Sequence, residues 1–488
     1  MILAEVLHSM KFYHVRGASG DLSVTDVAYD SRNVVPGALF VCVPGAAMDG
    51  HLFASDAVRM GASAIIVEHE LDLSIPQVVV PDARDALALA SANFFGDGSR
   101  HMRIAGVTGT AGKTTVAMLV EHMLNATGAE CGLLGTVCYR MGERVFPGRY
   151  TTPESRDLQE VLGAMKDMGA QAVSMEVSSH ALLTHRCAHT HFTAAAFTNL
   201  SREHMDLHED MEDYFATKVR LFTEEDVASR VVCTSTQWGR RLAEMLRRAH
   251  KEVVEVSCDP AADVRLLGVR SRGLSGNDVN ATAFGRNVRF NLPMIGDFNA
   301  MNALVALALV HELGFDLMDA AASLAAFTGV PGRMERIETG DAGFAVIVDY
   351  AHTPEELERA IRAAREVSAG RLAVVFGCGG DRDKGKRPMM GGEAAKADMV
   401  VVTNDNPRSE NPADIAAETI AGMGTGSQKA TVQLDRRRAI RDALAWAQPG
   451  DVVLIAGKGH ESTQSVGGQT TRFDDREVAR EELANLLA

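Results

Sequence analysis

Residues 103–115 read RIAGVTGTAGKTT and are followed by VAMLVEHMLNATG, which has the pattern of a helix. A short apolar run that breaks at glycine and ends in Gly-Lys-Thr-Thr predicts a strand, a tight loop and a helix N-terminus. In such a loop, backbone N–H groups and the helix dipole hold phosphate oxygens. We therefore interpret this stretch as a nucleotide-phosphate loop in an α/β fold.

Three polar residues of the loop, Lys113, Thr114 and Thr115, have predicted roles. Lys113 would reach the β- and γ-phosphates, and a hydroxyl of Thr114 or Thr115 would face a magnesium ion. The strict pattern GxxxxGK[ST] is missed, because Gly106 lies six residues before Gly112 instead of five. The alternative is a glycine turn before a helix, but the flanking strand and helix favour a phosphate loop.

The composition excludes several classes of protein. Of 488 residues, 46% are hydrophobic and 23% are charged, which is typical of a folded globular protein. Acidic residues outnumber basic ones, 64 to 49, so general binding to nucleic acid or to membranes is not expected. Seven cysteines without a CxxC pair argue against a disulfide framework, and the N-terminus lacks a signal-peptide pattern. We expect a cytoplasmic monomer.

The order of apolar runs and turns indicates three α/β domains. Residues 1–98 alternate short strands and helices. Residues 99–331 begin with the phosphate loop and carry most of the polar chemistry, with β-hairpins predicted over 262–293. In residues 332–488, runs such as FAVIVDY and RLAVVFG alternate with helical stretches, which predicts a mainly parallel, Rossmann-like sheet. NAD binding is not expected, because GCGGDRDKGKRP lacks the GxGxxG spacing.

Polar residues follow several predicted strands. Glu176 and Ser178 lie at the carboxyl end of one strand, where ligands bind in open α/β sheets. His204 follows another strand end and has, with His208, the spacing of a zinc pair. Because no cysteine or HExxH accompanies them, we favour Mg²⁺ with oxygen ligands. Residues 29–32 (YDSR) either present a hydroxyl and a guanidinium to a ligand or form a capped turn.

Eleven motifs, spread over nearly the whole chain, resemble those of the Mur ligase family, whose members extend the peptide of peptidoglycan precursors. The motifs are GVTGTAGKTT (106–115), TTPES (151–155), MEVSSHAL (175–182), TNLSREHMDLH (198–208), YFATKVRLF (214–222), GDFNAMN (296–302), PGRMER (331–336), DYAHTP (349–354), GCGGDRDKGKRP (377–388), DNPRSENP (405–412) and GKGHE (457–461). TTPES, the DNPR box and GKGHE look like the branch that adds the third residue, meso-2,6-diaminopimelate. The chain departs from the family at Ala111, usually Asn, and at Thr184, often Gln.

The resemblance implies domain roles and a reaction. The N-terminal domain would bind a UDP-sugar dipeptide, the central P-loop-type ATPase domain would bind ATP and Mg²⁺ beside a mostly parallel sheet, and the C-terminal Rossmann-like domain would bind the amino acid. ATP would phosphorylate the D-glutamyl carboxylate of UDP-N-acetylmuramoyl-L-alanyl-D-glutamate, and the amine of meso-diaminopimelate would displace phosphate. Positioning and charge stabilisation dominate such a transfer, and the domains would close to join the reactants.

The resemblance also implies the residues of the site. Those expected to bind ATP are Gly109, Thr110, Ala111, Gly112, Lys113, Thr114, Thr115, Asn299, Asn302, Arg333, Asp349 and His352. Those expected to bind the UDP-substrate are Ser31, Arg32, Thr151, Thr152, Ser178, Thr184 and Arg186. Those expected to bind the amino acid are Arg382, Asp405, Asn406, Pro407, Arg408, Gly457 and Glu461. The expected catalytic residues are Lys113, Glu176, His204 and Lys218, and the expected Mg²⁺ ligands are Thr114, Glu176, His204 and a carbamylated Lys218.

Two of these residues have simpler alternatives. Lys218 could be a solvated lysine on a helix face, whereas carbamylation requires an accessible neutral amine. Arg408 suits a bidentate pair with the distal carboxylate of diaminopimelate, or it merely ties down a proline turn. For the chain as a whole, the rival hypotheses are a P-loop switch or motor, the L-lysine-adding ligase of the same branch, and a folylpolyglutamate synthetase-like ligase. The GRMER and DYAHTP boxes disfavour the switch, and the TTPES and DNPR boxes disfavour the folyl ligase.

Overall fold

The chain folds into three α/β domains with mostly parallel sheets, which confirms the predicted fold class. The computed structural model describes residues 1–17, 21–45, 48–146, 148, 150–203, 205 and 207–487. Within these ranges, no helix combines the length and the apolar character needed to cross a membrane. The exact domain boundaries, after residues 98 and 331, stay predictions.

The N-terminal domain is a five-stranded sheet with short helices. Its strands are β1 (His14–Arg16), β2 (Val27–Ala28), β3 (Leu39–Val41), β4 (Ala64–Val67) and β5 (Gln77–Val79), and its helices are α1 (Leu3–Val6), α2 (Ala54–Met60) and α3 (Ala83–Phe94). The strand order is β1-β5-β4-β3-β2, and β1 pairs antiparallel at one edge while the others are parallel. All four residues of β4 are buried, as expected for a parallel strand covered on both faces.

The central domain is built on an eleven-stranded sheet. Its strands are β6 (Arg103–Thr108), β7 (Cys131–Leu134), β8 (Tyr139–Met141), β9 (Arg144–Phe146), β10 (Ala172–Glu176), β11 (His191–Phe197), β12 (Asp226–Cys233), β13 (Val254–Ser257), β14 (Val264–Ser271), β15 (Asn277–Ala283) and β16 (Arg286–Leu292). Its helices are α4 (Lys113–Ala126), α5 (Ser155–Asp167), α6 (Ser179–Leu183), α7 (Met211–Thr223), α8 (Gln237–Arg248), α9 (Phe298–Glu312) and α10 (Leu317–Ser323). The antiparallel strands β14, β15 and β16 confirm the hairpins predicted over 262–293.

The most apolar helix of the chain forms the core of this domain. All residues from 303 to 310 in α9 are buried, and the helix packs on α4 and on strands β11 to β14. A helix that is apolar all round is stable only where every face is covered. Because α9 supports α4 from behind, it also supports the phosphate loop that precedes α4.

Strand β6 lies at the centre of the sheet, in the order β12-β11-β6-β10-β7. Glu176 at the end of β10 aligns with Val107, and Phe197 at the end of β11 aligns with Thr108. The chain therefore leaves all three parallel strands at the same edge. This is the topological position where α/β sheets bind ligands.

The C-terminal domain has a six-stranded sheet and a separate hairpin. Its strands are β17 (Glu335–Ile337), β18 (Ala345–Asp349), β19 (Leu372–Phe376), β20 (Met399–Val402), β21 (Ala430–Val432), β22 (Val452–Ala456), β23 (Thr463–Val466) and β24 (Gln469–Arg472). Its helices are α11 (Pro354–Val367), α12 (Lys386–Ala394), α13 (Pro412–Ala421), α14 (Arg436–Trp446) and α15 (Asp475–Leu487). The order is β17-β18-β22-β19-β20-β21, parallel except for β17, so the predicted Rossmann-like sheet carries one antiparallel edge.

A buried ion pair joins the first residues of α14 and α15. Arg436 and Asp475 make two hydrogen bonds of 2.7 Å, and both side chains are fully buried. The same guanidinium donates to the backbone oxygens of Asn404, at 3.1 Å, and Ala456, at 2.9 Å. The pair thus fixes the chain where it leaves β20 and β22.

We expect Asp475→Ala to lower the free energy of unfolding of the C-terminal domain by about 3–5 kcal/mol, because it leaves a buried guanidinium without its counter-charge. The chain has two tryptophans, so in a Trp238→Phe background the fluorescence of Trp446 reports on this domain during urea denaturation. Glu477→Ala removes the exposed pair with Arg472 and should cost less than about 1 kcal/mol. Equal stability of the Asp475→Ala protein and its parent would contradict this account.

Candidate active site

The phosphate loop connects β6 to α4 as predicted. Gly109 has φ of 146°, and a Cβ at this position would lie 2.0 Å from Thr198 Oγ1, so the backbone can pass there only as glycine. Lys113 Nζ folds back onto the loop and donates to the carbonyl oxygens of Gly109, at 2.9 Å, and Thr110, at 2.7 Å. Its ammonium is therefore positioned over the loop that would hold phosphates.

The segment after β11 holds the loop in shape. It begins the motif TNLSREHMDLH (198–208), but neither Thr198 nor Asn199 was among the predicted site residues. Asn199 accepts a hydrogen bond from the backbone N–H of Ala111 and donates to the carbonyl of Ala111, both at 3.0 Å. Thr198 Oγ1 donates to the same carbonyl at 2.7 Å. These bonds use the backbone of Ala111, so the absence of an asparagine side chain there leaves them intact. The motif that contains both residues was the signal available in the sequence.

Lys218 lies inside the central domain. Its side chain is 1% exposed, its Nζ donates to the carbonyl oxygen of Gly109 at 2.9 Å, and it lies 4.6 Å from the centre of the Tyr214 ring. Burial, and then the nearby Lys113 ammonium, hold the pKa of the Lys218 amine well below its usual value. The alternative of a solvated lysine on a helix face is therefore wrong, and the lowered pKa favours the neutral amine that carbamylation requires.

Glu176 ends β10 within a cluster of hydroxyl groups. Its carboxylate accepts from the backbone N–H of Thr136 at 2.8 Å and from Thr136 Oγ1 at 3.1 Å, and that hydroxyl lies 3.0 Å from Thr151 Oγ1. Thr152 Oγ1 donates to the carbonyl of Glu176 at 2.8 Å and accepts from the N–H of Ser178 at 3.1 Å. The predicted residues Thr151, Thr152 and Ser178 thus meet at one strand end.

Arg186 supports this cluster from a buried position. Its guanidinium donates to the carbonyl of Thr152 at 3.1 Å, pairs with Glu154 at 2.8 Å and lies 4.7 Å from the centre of the Tyr150 ring. Its Nε makes no hydrogen bond within the described part of the chain. Arg186 therefore orients the TTPES segment by its backbone and by Glu154.

A cavity of about 610 Å³ opens beside the phosphate loop, between the central and C-terminal domains. Its lining includes these residues predicted to bind ATP: Ala111, Gly112, Thr114, Thr115, Asn299, Asn302, Arg333 and Asp349. Asn302 Nδ2 donates to Asn299 Oδ1 at 3.0 Å, and Asn299 Nδ2 donates to the carbonyl of Ile295 at 2.8 Å, so one turn of α9 presents both amides. The cavity has the size of a small-molecule site, with a few polar groups set in a mainly apolar lining.

Two charged residues close this cavity from the C-terminal domain. Arg333 lies 4.3 Å from the centre of the Tyr350 ring. Asp349 accepts from the backbone N–H groups of Met334, at 2.7 Å, and Ala351, at 2.8 Å. Burial raises the pKa of Asp349 to about 6, although Arg333 and these two donors act in the opposite direction. The carboxylate is thus held by backbone donors rather than by solvent.

His352 links the two domains. Its Nε2 lies 2.8 Å from Glu203 in the central domain, and its Nδ1 lies 2.9 Å from the carbonyl of Tyr350 and 3.3 Å from Glu356. Burial opposes protonation of His352, but Glu356 and Glu203 outweigh it and raise its pKa. Next to Glu203, Arg202 pairs at 2.9 Å with Asp383 of the C-terminal domain. Neither Glu203 nor Arg202 was predicted.

Loops after β19, β20 and β22 form the C-terminal wall. Arg408 has φ of 53°, and its guanidinium donates to the carbonyl of Gly380 at 2.6 Å. Asn406 Nδ2 donates to Glu461 at 2.9 Å. At Gly457, which has φ of 114°, a Cβ would lie 2.8 Å from the carboxylate of Asp405. The predicted amino-acid-binding residues Asp405, Asn406, Arg408, Gly457 and Glu461 therefore lie side by side.

Arg387 fixes these loops from below and was not predicted. It is fully buried and pairs with Glu410 at 2.8 Å and Glu418 at 2.8 Å. Its hydrogen bond to Glu410 is the largest of the effects that lower the pKa of that carboxyl to about 2. Glu410 also accepts from the backbone N–H of Asp381 at 2.6 Å, so the DNPR box and the loop after β19 share one support.

One cleft of about 470 Å³ joins groups from all three predicted sets. The predicted residues in its lining are Thr110, Ala111, Gly112, Lys113, Thr114, Thr151, Glu176, Ser178, Arg186, Arg333, His352, Arg382, Asp405, Asn406, Arg408, Gly457 and Glu461. The cleft is also lined by residues that were not predicted, among them Thr136, Arg202, Glu203, Tyr350 and Lys386. The central and C-terminal domains thus enclose a second space beside the phosphate loop, and this one brings the three predicted sets together.

Some predicted residues lie outside this cleft. Ser31 and Arg32 form a turn capped by Asp30, and Arg32 pairs with Asp30 at 2.6 Å, which is the capped-turn alternative. Arg32 nevertheless lines a cavity of about 800 Å³ that shares Tyr150 with the cleft. Thr184 donates to the carbonyl of His180 at 2.7 Å and lines neither cavity. Pro407 contributes its backbone, against which Gly380 packs. His204 lies outside the described residues, and its role stays a prediction.

The donor set around Glu176 suits Mg²⁺. Among the described residues, no three His, Cys, Asp or Glu side chains gather into a metal site. Mg²⁺ is commonly held by one or two carboxylates together with water and substrate phosphates. The Glu176 carboxylate and the Thr114 hydroxyl line the same cleft as Lys113 and match that requirement.

Three family models match successive parts of the chain. The model of the Mur ligase family, catalytic domain, matches residues 23–108. The Mur ligase middle domain matches residues 107–310, and the Mur ligase, glutamate ligase domain, matches residues 332–459. The three matches follow the order of the three sheets.

Whole-chain relatives agree with these matches. The UDP-N-acetylmuramoyl-L-alanyl-D-glutamate–2,6-diaminopimelate ligase of Gloeobacter violaceus is 43% identical over 95% of this chain and 94% of its own length. That of Streptomyces coelicolor is 42% identical over 96% and 94%. A solved structure of a ligase with the same name has a TM-score of 0.72 and 30% identity, over 100% of this chain and 99% of that one. The MurF ligase of Thermotoga maritima in complex with ADP shares the fold, with a TM-score of 0.64 and 22% identity over 96% of this chain and 97% of that one.

We expect Lys113→Ala to abolish phosphate release from ATP while the fold stays intact, because the loop amides remain but the mobile positive charge is lost. Phosphate release and circular dichroism measure the two properties. Lys166→Ala, which removes a lysine on α5, is the control and should behave like the parent protein. Near-normal phosphate release by folded Lys113→Ala protein would refute the phosphate-loop assignment.

Proposed function

The chain belongs to the Mur ligase family, and we propose that it joins meso-2,6-diaminopimelate to UDP-N-acetylmuramoyl-L-alanyl-D-glutamate, forming ADP and phosphate from ATP. The observation that carries this proposal is the single cleft shared by Lys113, Glu176 and Arg408. Relatives that are about 40% identical over nearly the whole chain bear the name of this ligase, which supports the same activity.

The phosphate loop and the adjoining cavity would bind ATP. Adenine and ribose would occupy the cavity of about 610 Å³ beside Asn299, Asn302 and Asp349. The triphosphate would follow the loop amides toward the cleft, since Ala111, Gly112 and Thr114 line both spaces. Lys113 would exchange its bonds to the loop carbonyls for bonds to the β- and γ-phosphates. A ligase with this fold has been solved in complex with ADP, which supports the use of ATP.

The D-glutamyl carboxylate would approach the γ-phosphate from the side of the cleft formed by Thr151 and Ser178. Hydroxyl groups there can hold the sugar dipeptide, and buried Arg186 keeps the segment in place. Mg²⁺, held by Glu176 and Thr114, would neutralise charge on the phosphates. The remaining catalytic contribution is positioning, because phosphoryl transfer requires little covalent chemistry from side chains.

The amino acid would enter from the C-terminal wall. Its neutral amine would attack the acyl phosphate, the new carbon–nitrogen bond would form as the nitrogen gives up a proton, and phosphate would leave with that proton and the electrons of the carbon–oxygen bond. Arg408 would pair with the distal carboxylate, and Glu461 and Asp405 would face the distal ammonium. The planar guanidinium suits a carboxylate because it can donate two parallel hydrogen bonds.

Lys218 would act as a carbamate formed with CO₂. The neutral amine takes up CO₂ and loses a proton, which converts a buried cation into an anion that can hold a second Mg²⁺. Burial beside Lys113 favours this change, since the two lysines donate to the same carbonyl, that of Gly109. An anion at Lys218 would be attracted by Lys113 rather than repelled.

We further propose that the protein works in the cytoplasm as a monomer. ATP and the UDP-linked precursor are cytoplasmic metabolites, and one chain carries all the residues assigned to the reaction. The predicted division at residues 98 and 331 would give each substrate its own domain: 1–98 for the UDP-sugar, 99–331 for ATP and 332–488 for the amino acid.

Lys218→Ala should be nearly inactive and should be partly rescued by acetate or formate, because a small carboxylate can replace the missing carbamate anion. The assay is phosphate release with all three substrates, measured as the concentration of acetate or formate is raised from none to saturation. Lys251→Ala removes a lysine that contacts the carbonyl of Phe222 near the end of α7, and it should show neither loss nor rescue. Wild-type activity of the Lys218→Ala protein would contradict the assignment of a carbamate to Lys218.

The wild-type protein should prefer meso-diaminopimelate to lysine by roughly 10⁴–10⁵-fold in kcat/KM, because lysine would leave the Arg408 guanidinium desolvated without a carboxylate partner. Arg408→Ala should lose that preference and most activity. Arg472→Ala, an exposed arginine on the neighbouring hairpin, should retain both. Comparable kcat/KM values for lysine and diaminopimelate in the wild-type protein would overturn the assignment, and a clear preference for lysine would identify the lysine-adding ligase.

A further inference from the structure

Lys458 is a buried charge that the mechanism above does not use. It lies between Gly457 and Gly459 in the turn after β22, and its side chain is 0% exposed. A buried ammonium is costly unless it is paired and hydrogen-bonded. Its Nζ lies 2.9 Å from Glu461 Oε2 and 3.4 Å from Asn406 Oδ1. The charge therefore contacts two residues of the amino-acid wall, one from each of two loops.

These contacts determine the orientation of the Asn406 amide. Its Oδ1 accepts from Lys458 Nζ and, at 3.0 Å, from the backbone N–H of Ser465, while its Nδ2 donates to Glu461 Oε2 at 2.9 Å. A flipped amide would place its NH₂ group against two donors and its oxygen against a carboxylate. Lys458 and Ser465 thus select a single orientation.

The same contacts leave one oxygen of Glu461 for a ligand. Oε2 accepts from both Lys458 and Asn406, whereas Oε1 makes no hydrogen bond within the described part of the chain. Glu461 is 31% exposed in its side chain and lines the cleft. A carboxylate held through one oxygen presents the other in a fixed direction, as an ammonium-binding site requires.

Lys458 also sets the charge of the wall. Among the predicted amino-acid-binding residues, Asp405 and Glu461 contribute two negative charges and Arg382 and Arg408 two positive ones, to which Lys458 adds a third positive charge. The distal end of diaminopimelate carries one ammonium and one carboxylate, whereas the distal end of lysine carries an ammonium alone. Without Lys458 the wall would lose one positive charge, which shifts the balance from a zwitterionic end toward a lone ammonium.

We propose that Lys458 is a positioning residue of the amino-acid site, which holds Asn406 and Glu461 in the geometry for a zwitterionic distal end and disfavours a lone ammonium. The inference rests on the proposed function, from which it takes the chemistry of the acceptor. A purely structural role would alter the KM values of all three substrates, whereas the proposed positioning role alters the KM of the amino acid alone.

The test is steady-state kinetics of Lys458→Met with each of the three substrates varied in turn. The KM for diaminopimelate should rise about 10- to 100-fold, because Glu461 and Asn406 lose a charged donor. The KM values for ATP and for the UDP-substrate should stay within about twofold. The ratio of kcat/KM for diaminopimelate to that for lysine should fall. Lys458→Arg, which keeps the charge, should recover part of the loss.

Lys396→Met is the matched control, because Lys396 pairs with Glu393 on the exposed surface of the same domain. If Lys458→Met does not fold, Lys458→Gln carries the same comparison with a smaller side chain that retains a donor but no charge. A KM for diaminopimelate within twofold of wild type in a folded variant would overturn the inference, and so would an equal rise in all three KM values. If the wild-type protein does not use diaminopimelate, the proposed function fails first and the inference fails with it.

Discussion

The carbonyl oxygen of Gly109 accepts hydrogen bonds from two lysines, and much of the central site depends on this arrangement. Lys113 comes from the helix that follows the loop, and Lys218 comes from α7, more than one hundred residues later. The two ammonium groups cannot share a buried carbonyl in the charged state without strong repulsion. The loop can pass between them only because residue 109 has no side chain to meet Thr198. A backbone constraint therefore brings a mobile cation and a buried amine to the same point.

Buried charge organises the C-terminal domain in a different way. Arg387, Arg436 and Lys458 are all fully buried, and each contacts a loop that leaves the sheet at its carboxyl edge. Such groups add little net stability, because the cost of desolvation offsets the attraction of the pair. Their effect is to fix the conformation of the loops, because any movement that removes a partner leaves a buried charge uncompensated. The loops that carry Arg408 and Glu461 are thereby held in one conformation although they lie at the surface of a cleft.

The sequence predicted the parts of this protein that depend on local pattern. The strand, loop and helix at 103–126 follow from apolar spacing and glycine position, and the hairpins over 262–293 follow from alternation. Contacts between distant segments could not be read in this way. Thr136 carries no unusual local signal, and Asn199 lies in a motif that gave it no role, yet they hold Glu176 and Ala111 through bonds that only the sheet order creates. Residues 29–32 show where sequence patterns stop being informative. The pattern allowed a capped turn or a ligand site, and the structure has a capped turn that also lines a cavity, so both interpretations remain open.

The segment from Thr198 to Glu203 connects the phosphate loop to the C-terminal domain. At one end, Thr198 and Asn199 bond to the backbone of Ala111. At the other end, Arg202 pairs with Asp383 and Glu203 with His352, both of which belong to the C-terminal domain. A rotation of that domain away from the cleft must break these two contacts. Arg202 and Glu203 lie only a few residues from Thr198 and Asn199, which hold the phosphate loop. Because the segment is short and bonded at both ends, the separation of the domains and the shape of the phosphate loop cannot change independently. Ligand binding at the two ends would then be coupled, since a ligand that stabilises either end also favours the contacts at the other.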